Sequence, residues 1–94
     1  MFAVSERSSD AFFTVLATAG TPNRARLGLA ISKKQVRRAV DRNRLKRLVR
    51  ETFRRRRREL IGQDFVVMAR AAAVSAGNDR LQQSLARHFN ALSS

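Results

Sequence analysis

The sequence predicts a small α+β protein, an α/β sandwich in which helices pack on a small sheet. Three observations support this class. Apolar residues alternate in strand-like segments, one segment has apolar residues at helical spacing, and a second helical pattern follows near the end. The predicted element order is β-β-α-β-α. At 94 residues the chain has room for one modest core, so we treat residues 1–94 as a single domain.

The first two strands are predicted from aromatic and β-branched residues. Residues 10–19 form the first strand, with Phe12 on one face and Phe13 on the other, so that one ring can be core while the other is exposed. Residues 20–24 contain Gly, Pro and Asn, which are typical of a turn. Residues 26–32 alternate again. Together these segments predict an antiparallel hairpin with a loop of about five residues.

A helix from Asp41 to about residue 59 is the most strongly patterned element. Its apolar residues follow the i, i+3, i+4 spacing of a single stripe. These residues are Leu45, Leu48, Val49, Thr52 and Phe53. Asp41 is expected to cap the N-terminus, where its charge suits the helix dipole. Gly62 is expected to mark the C-terminal end.

The remaining elements are shorter. Residues 64–70 predict a strand, and residues 71–77 are small and predict a loop. A last helix begins at residue 78 or 79 and continues through Leu92, with His88 on its apolar face. Upstream of the first strand, the polar residues 5–9 are expected to form a turn.

Charge gives the main functional signal. The formal net charge is +13, and fourteen of the twenty Lys and Arg lie between Lys33 and Arg58. Such density repels itself, and a bound polyanion relieves the repulsion. Arg outnumbers Lys seventeen to three, and the guanidinium fork pairs with phosphate. A merely solvated helix face normally mixes signs at i, i+4, whereas residues 54–58 are five consecutive arginines. The pattern predicts nucleic-acid binding.

The sequence offers no complete catalytic set. His88 is the only histidine, the acidic residues are scattered, and cysteine is absent. No zinc-ligand spacing occurs. The apolar runs are too short for a membrane span. We therefore expect no protein-held metal, no small-molecule ligand, no membrane partner and a cytoplasmic location.

A family resemblance is carried by the basic segment and its flanks. RLGLAISKK, a short spacer and AVDRNRLKRLVRETFR resemble the protein subunit of bacterial ribonuclease P, and DFVVMAR resembles that family's next strand. The likeness covers roughly Phe12 to Leu92. It implies a ribosomal protein S5 domain 2-like fold with a left-handed β-α-β crossover, a rare exception to the usual handedness. It also implies an N-terminal helix before the first strand, which this sequence would lack.

The resemblance also implies a division of labour within a ribonucleoprotein. The RNA subunit would cleave the 5′ leader from precursor tRNA, using Mg²⁺ held mainly by the RNA and the substrate. The protein would be the auxiliary subunit of this endoribonuclease, binding the RNA subunit and the leader, with no catalytic residue of its own. Phe12 and Phe13 are candidates for leader contact. The candidate RNA-binding residues are Lys33, Lys34, Arg37, Arg38, Arg42, Asn43, Arg44, Lys46, Arg47, Arg50 and Arg54.

Two other functions remain open at this stage. A general RNA-binding accessory protein, such as a ribosome-associated one, would bind many RNAs with similar affinity. A protein nuclease would need a catalytic set that the sequence does not show. If about 6 to 10 phosphates are neutralised, the logarithm of affinity should fall against the logarithm of salt with a slope of about −5 to −9.

Overall fold

The computed structural model describes residues 6–20 and 22–92. Within them the chain forms a four-stranded sheet and two α-helices, which confirms the predicted α+β class. The strands are β1 (Glu6–Ser9), β2 (Phe13–Ala19), β3 (Arg26–Ala30) and β4 (Gln63–Ala69). The helices are α1 (Ala39–Arg55) and α2 (Asn78–Leu92), and short 3₁₀ segments cover Arg57–Leu60 and Ala71–Ser75.

The sheet order is β1-β2-β4-β3, so the predicted hairpin between the second and third strands is wrong. Strand β4 lies between them, antiparallel to β2 and parallel to β3. Val67, for example, pairs with Val15 on one side and with Leu29 on the other. The residues at 20–24 reverse the chain, but they do not decide which strand pairs with which. Strand β4 suits an interior place, because its inward side chains Phe65 and Val67 are fully buried in the core.

Residues 6–9 form an edge strand and not the predicted turn. Ser8 pairs with Val15 of β2, and the other edge of β1 has no partner strand among the described residues. A polar sequence suits this place, because an edge strand faces solvent. The element order is therefore β-β-β-α-β-α. Residues 1–5 lie outside the described residues, and the expected lack of an N-terminal helix stays a prediction.

Helix α1 connects β3 to β4, which are neighbouring parallel strands. The chain therefore contains the β-α-β crossover that the resemblance implies. Its left-handed sense stays a prediction.

The ends of α1 differ from the prediction. The helix begins at Ala39 with Arg38 in the N-cap position and no side-chain cap, while Asp41 lies in the first turn. There the carboxylate still complements the helix dipole. The helix ends at Arg55, and the 3₁₀ segment continues the chain towards Gly62, whose φ of 92° allows the sharp entry into β4.

Both helices pack on one face of the sheet. The five residues of the predicted apolar stripe of α1 are all buried. The rings of Phe53, Phe65 and Phe89 meet edge to face with centroids 5.5–6.0 Å apart, joining α1, β4 and α2. Burying each such side chain stabilises the fold by about 1.5–3 kcal/mol. No described element covers the opposite face of the sheet, where Val66 is 38% exposed.

Candidate nucleic-acid interface

The outward face of α1 carries a groove in which four of the six lining residues are cations. It lies opposite the buried stripe, because 3.6 residues per turn place Arg47, Arg50 and Arg54 on the same side of the helix. The groove has a volume of about 560 Å³. We call it the outer groove; its residues are Asn43, Lys46, Arg47, Arg50, Glu51 and Arg54.

These cations have few internal counter-charges. Within residues 6–20 and 22–92, cation–carboxylate contacts under 4.0 Å occur at Arg56–Glu59, Arg87–Asp10 and His88–Asp10. None involves a residue of the outer groove, including the exposed Glu51. Arginines hidden against acidic neighbours would have ruled out a nucleic-acid surface. The groove instead presents an open positive potential, which attracts polyanions.

Arg42 is placed differently from the groove cations. Its Nη1 donates hydrogen bonds to the carbonyl oxygens of Val36 (3.0 Å) and Arg37 (2.9 Å). These bonds hold the turn that precedes α1 against the first turn of the helix. The side chain therefore has a structural role, and its predicted contact with RNA stays a prediction.

The side chain of Arg44 bonds to residues that lie 30–34 positions later in the sequence. Its Nε donates to Asn78 Oδ1 (3.1 Å), its Nη1 to the Val74 carbonyl (3.3 Å) and its Nη2 to the Ala76 carbonyl (2.6 Å). One guanidinium thus joins α1 to the junction between the second 3₁₀ segment and α2. Asn43, between these two arginines, is exposed and lines the outer groove.

The basic residues before α1 form an exposed turn. The Val36 N–H donates to the Ser32 carbonyl (3.0 Å), and the Gln35 N–H donates to Ser32 Oγ (3.2 Å). Val36 is fully buried and anchors the turn to the core. Four predicted RNA-binding residues are exposed around this anchor: Lys33, Lys34, Arg37 and Arg38.

The two candidate leader-binding phenylalanines have different surroundings. Phe13 has 0% exposure and belongs to the core, so its ring cannot stack on a base. Phe12 is half-buried at the edge of the core, and the Arg80 guanidinium carbon lies 5.4 Å from the centre of its ring. Only Phe12 keeps the exposure that a leader contact requires.

A polar network that the sequence did not predict connects α2 to the beginning of β2. Asp10 Oδ1 accepts hydrogen bonds from the N–H groups of Phe12 (2.8 Å) and Phe13 (2.9 Å), and Asp10 Oδ2 accepts one from Ser84 Oγ. His88 Nε2 lies 3.2 Å from the same oxygen, but without hydrogen-bond alignment. His88 Nδ1 is 2.6 Å from Ser8 Oγ.

The network lowers the pKa of Asp10. Burial alone would raise this pKa, but the hydrogen bonds from Ser84 and from the N–H groups of Phe13 and Phe12, with His88 nearby, outweigh burial and lower it from 3.8 to about 2. His88 is 4% exposed and in contact with a carboxylate already satisfied by the fold. The arrangement fixes α2 to the sheet. No local pattern indicated it, because the partners are distant in sequence.

The described residues bring together no group of three or more His, Cys, Asp or Glu that could hold a metal ion. In the same part of the chain, neither helix is long and apolar enough to cross a membrane. What this surface can do chemically is bind anions through guanidinium and ammonium groups.

The fold and this surface define a class: small α+β RNA-binding proteins that present a basic helix braced by an apolar core. The chain belongs to the ribonuclease P protein family, because the family model described as Ribonuclease P matches residues 1–93. Members are the protein components of ribonuclease P, an endoribonuclease and ribonucleoprotein of tRNA processing. The resemblance found in the basic segment is confirmed.

Individual relatives agree. The ribonuclease P protein component of Methylococcus capsulatus is 53% identical over 83 residues, covering 88% of this chain and 65% of the relative. That of Thioalkalivibrio sulfidiphilus is 52% identical over 93 residues, covering 99% and 78%. A Staphylococcus aureus RNase P protein mutant with defective mRNA degradation activity superposes with a TM-score of 0.84 at 30% identity, covering 93% of this chain and 74% of that one.

Proposed function

We propose that this chain is the protein subunit of a ribonuclease P holoenzyme, in which it binds the catalytic RNA subunit and the 5′ leader of precursor tRNA. The RNA subunit cleaves, and the protein raises substrate affinity at physiological ionic strength. The complex works in the cytoplasm.

One observation carries the proposal: among the described residues, no cation of the outer groove lies within 4.0 Å of a carboxylate oxygen. Arg47, Arg50 and Arg54 are exposed and lie within two turns of one rigid helix. Like charges at this spacing destabilise a helix, so the arrangement costs stability in the isolated protein. Phosphate groups of a folded RNA remove that cost, and each guanidinium can pair with a phosphate in a bidentate manner. The exposed basic turn at 33–38 directly precedes the same helix and adds further cations.

Leader contact is the second part of the proposal, and it rests on Phe12. The ring keeps partial exposure, and Arg80 over it adds a cation that can attract a leader phosphate. An aromatic ring supports an unpaired base with little sequence preference.

Mg²⁺ enters the proposal as an ion held by RNA and substrate, where it supplies the charge stabilisation and the activated water for hydrolysis. This chain's own residues are assigned no ligand to it. Their part is to lower the electrostatic repulsion between two RNAs, which allows the same complex to form with less Mg²⁺.

Reconstitution tests the proposal directly. Cleavage of precursor tRNA by the RNA subunit is measured at low Mg²⁺ with and without the protein, and the protein should raise the rate at limiting substrate. Arg47→Gln should weaken this enhancement. Arg7→Gln is the matched control, because Arg7 is an exposed arginine on the edge strand farthest from β3. No enhancement by the wild-type protein would contradict the proposal.

Competition separates this function from general RNA binding. Excess unrelated structured RNA of equal length should displace the RNA subunit only weakly. Equal displacement by both RNAs, with equal salt slopes, would favour a general accessory protein.

A further inference from the structure

A second groove on α1 differs in composition from the outer groove. It lies where the helix faces β3 and has a volume of about 340 Å³. Its floor is apolar and consists of Ala25, Leu27 and Phe53, whereas the outer groove has no apolar lining residue. Its rim consists of three arginines: Arg50, Arg54 and Arg57. We call it the side groove.

The rim arginines are available to a ligand. Arg50, Arg54 and Arg57 are exposed, and none of their side chains makes a hydrogen bond or ion pair with another residue of the described chain. Arg50 and Arg54 also line the outer groove, so the two grooves are continuous across the helix. A strand of RNA on the outer groove therefore reaches the side groove without leaving the cationic surface.

The floor excludes a phosphate as the buried part of the ligand. An anion on Leu27 and Phe53 would lose hydration without gaining a hydrogen bond. A flat, weakly polar group fits better, with its charge placed at the rim. A nucleotide has this division, since its base is apolar on both faces and its phosphate is anionic. Arginine suits both parts, because guanidinium planes stack on bases and pair with phosphates. The volume lies at the lower end of small-ligand pockets, about 300–1,000 Å³.

We propose that the side groove holds one unpaired nucleotide of the RNA subunit, with the base on Leu27 and Phe53 and the phosphate among Arg50, Arg54 and Arg57. The inference rests on the proposed function and adds to it a site that reads an unstacked base. Duplex RNA keeps its bases stacked inside and cannot fill the floor, so the groove selects a bulge or a loop on the RNA surface.

Short RNA probes test the base contact. A fluorescent six-residue oligouridylate and its abasic counterpart carry the same phosphates, but only the first carries bases. The wild-type protein should bind the oligouridylate about fivefold to tenfold more tightly. Because the ring of Phe12 is also proposed to contact an unpaired base, the comparison is made in the Phe12→Leu background, where Leu27→Thr should remove most of this difference while leaving abasic binding unchanged. Leu29→Thr is the matched control, because Leu29 is half-buried on the same face of β3 but does not line the groove. It should keep the difference.

The phosphate contact has its own variant pair. Arg57→Gln should weaken both probes about equally, and Arg58→Gln, which removes a neighbouring exposed arginine outside the groove, should weaken them less. Equal losses in the two variants would overturn the assignment of the rim.

A direct measurement covers the case in which Leu27→Thr does not fold. In the wild-type protein, the Leu27 methyl NMR signals should shift with oligouridylate and not with the abasic probe. Equal binding of both probes, or equal methyl shifts, overturns the inference. If the RNA subunit still binds with a dependence on Arg47, the proposed function survives that result. If the wild-type protein does not bind the RNA subunit at all, the proposed function itself has failed.

Discussion

The two halves of helix α1 use arginine in opposite ways. Near its beginning, Arg42 and Arg44 donate to carbonyl oxygens of the preceding turn and of the segment before α2. Further along, the side chains of Arg47, Arg50 and Arg54 donate to no residue of the described chain. The residue type is the same, so the difference comes from the acceptors within reach. Arg42 and Arg44 donate to backbone carbonyl groups that the turn and the second 3₁₀ segment leave without a helical partner. The later arginines face solvent and remain for a ligand.

The largest effect is expected for Arg44→Ala, and it is an effect on the free energy of unfolding. The substitution removes charged hydrogen bonds to two carbonyls and Asn78, and we expect the free energy of unfolding to fall by about 2–3 kcal/mol. Arg47→Ala should change it by less than about 0.5 kcal/mol. Denaturant unfolding of both variants measures the contrast. Similar losses in the two variants would mean that the two halves of the helix do not differ.

Acid unfolding tests Asp10, whose carboxylate already accepts hydrogen bonds within the fold. The pKa of Asp10 is about 2 in the folded protein and 3.8 in the unfolded chain, so its contribution is complete above about pH 4 and is lost as the pH falls towards 2. The shift corresponds to about 2 kcal/mol. The difference in stability between wild type and Asp10→Asn should therefore shrink over this range. A constant difference from pH 6 to pH 2 would contradict the role of the charged carboxylate.

The salt dependence of RNA binding tests the cations of the outer groove, whose side chains bond to no described residue. Arg47→Gln should weaken binding of the RNA subunit about threefold to tenfold and reduce the magnitude of the log–log salt slope by about one, because one phosphate contact is lost. Stability should hardly change. Affinity titrations from 50 to 200 mM salt, with Arg7→Gln as the control, measure both quantities. An unchanged slope would place Arg47 outside the contact surface.

Glu51→Gln gives the smallest expected effect and the opposite sign. Glu51 lines the outer groove without an ion-pair partner among the described residues, so its carboxylate repels an incoming phosphate. We expect the substitution to strengthen RNA binding about twofold to threefold at low salt, and the gain to disappear at high salt as screening increases. Weaker binding in the variant would show that the carboxylate organises the arginines around it.

The sequence predicted what depends on local spacing. All five stripe residues of α1 are buried, because helical periodicity is fixed by neighbours three and four residues away. Strand pairing, in contrast, depends on residues that are far apart in the sequence. Turn chemistry at 20–24 suggested a hairpin, but β4, some forty residues later, takes the place between the two strands. β1 was missed because an edge strand needs no apolar pattern.

The same limit applies to the candidate site. The positive charge of α1 follows directly from composition, but which arginines are available depends on carbonyls brought near by folding. Arg44 meets Ala76 only in the folded chain, and no sequence motif announces that contact. Asp10 and His88 likewise meet only through the packing of α2. Phe12 and Phe13 are adjacent, and only packing shows that Phe13 belongs to the core.

The central position of β4 also has a consequence during synthesis of the chain. Three strands and the cationic helix leave the ribosome before Gln63–Ala69, yet the sheet cannot close until that segment arrives. Until then the nascent chain carries an arginine-rich amphipathic helix whose apolar stripe is not yet buried in a core. Folding should therefore be limited by the late, long-range pairing of Val67 with both of its neighbours, and not by formation of the helix, which needs only adjacent residues.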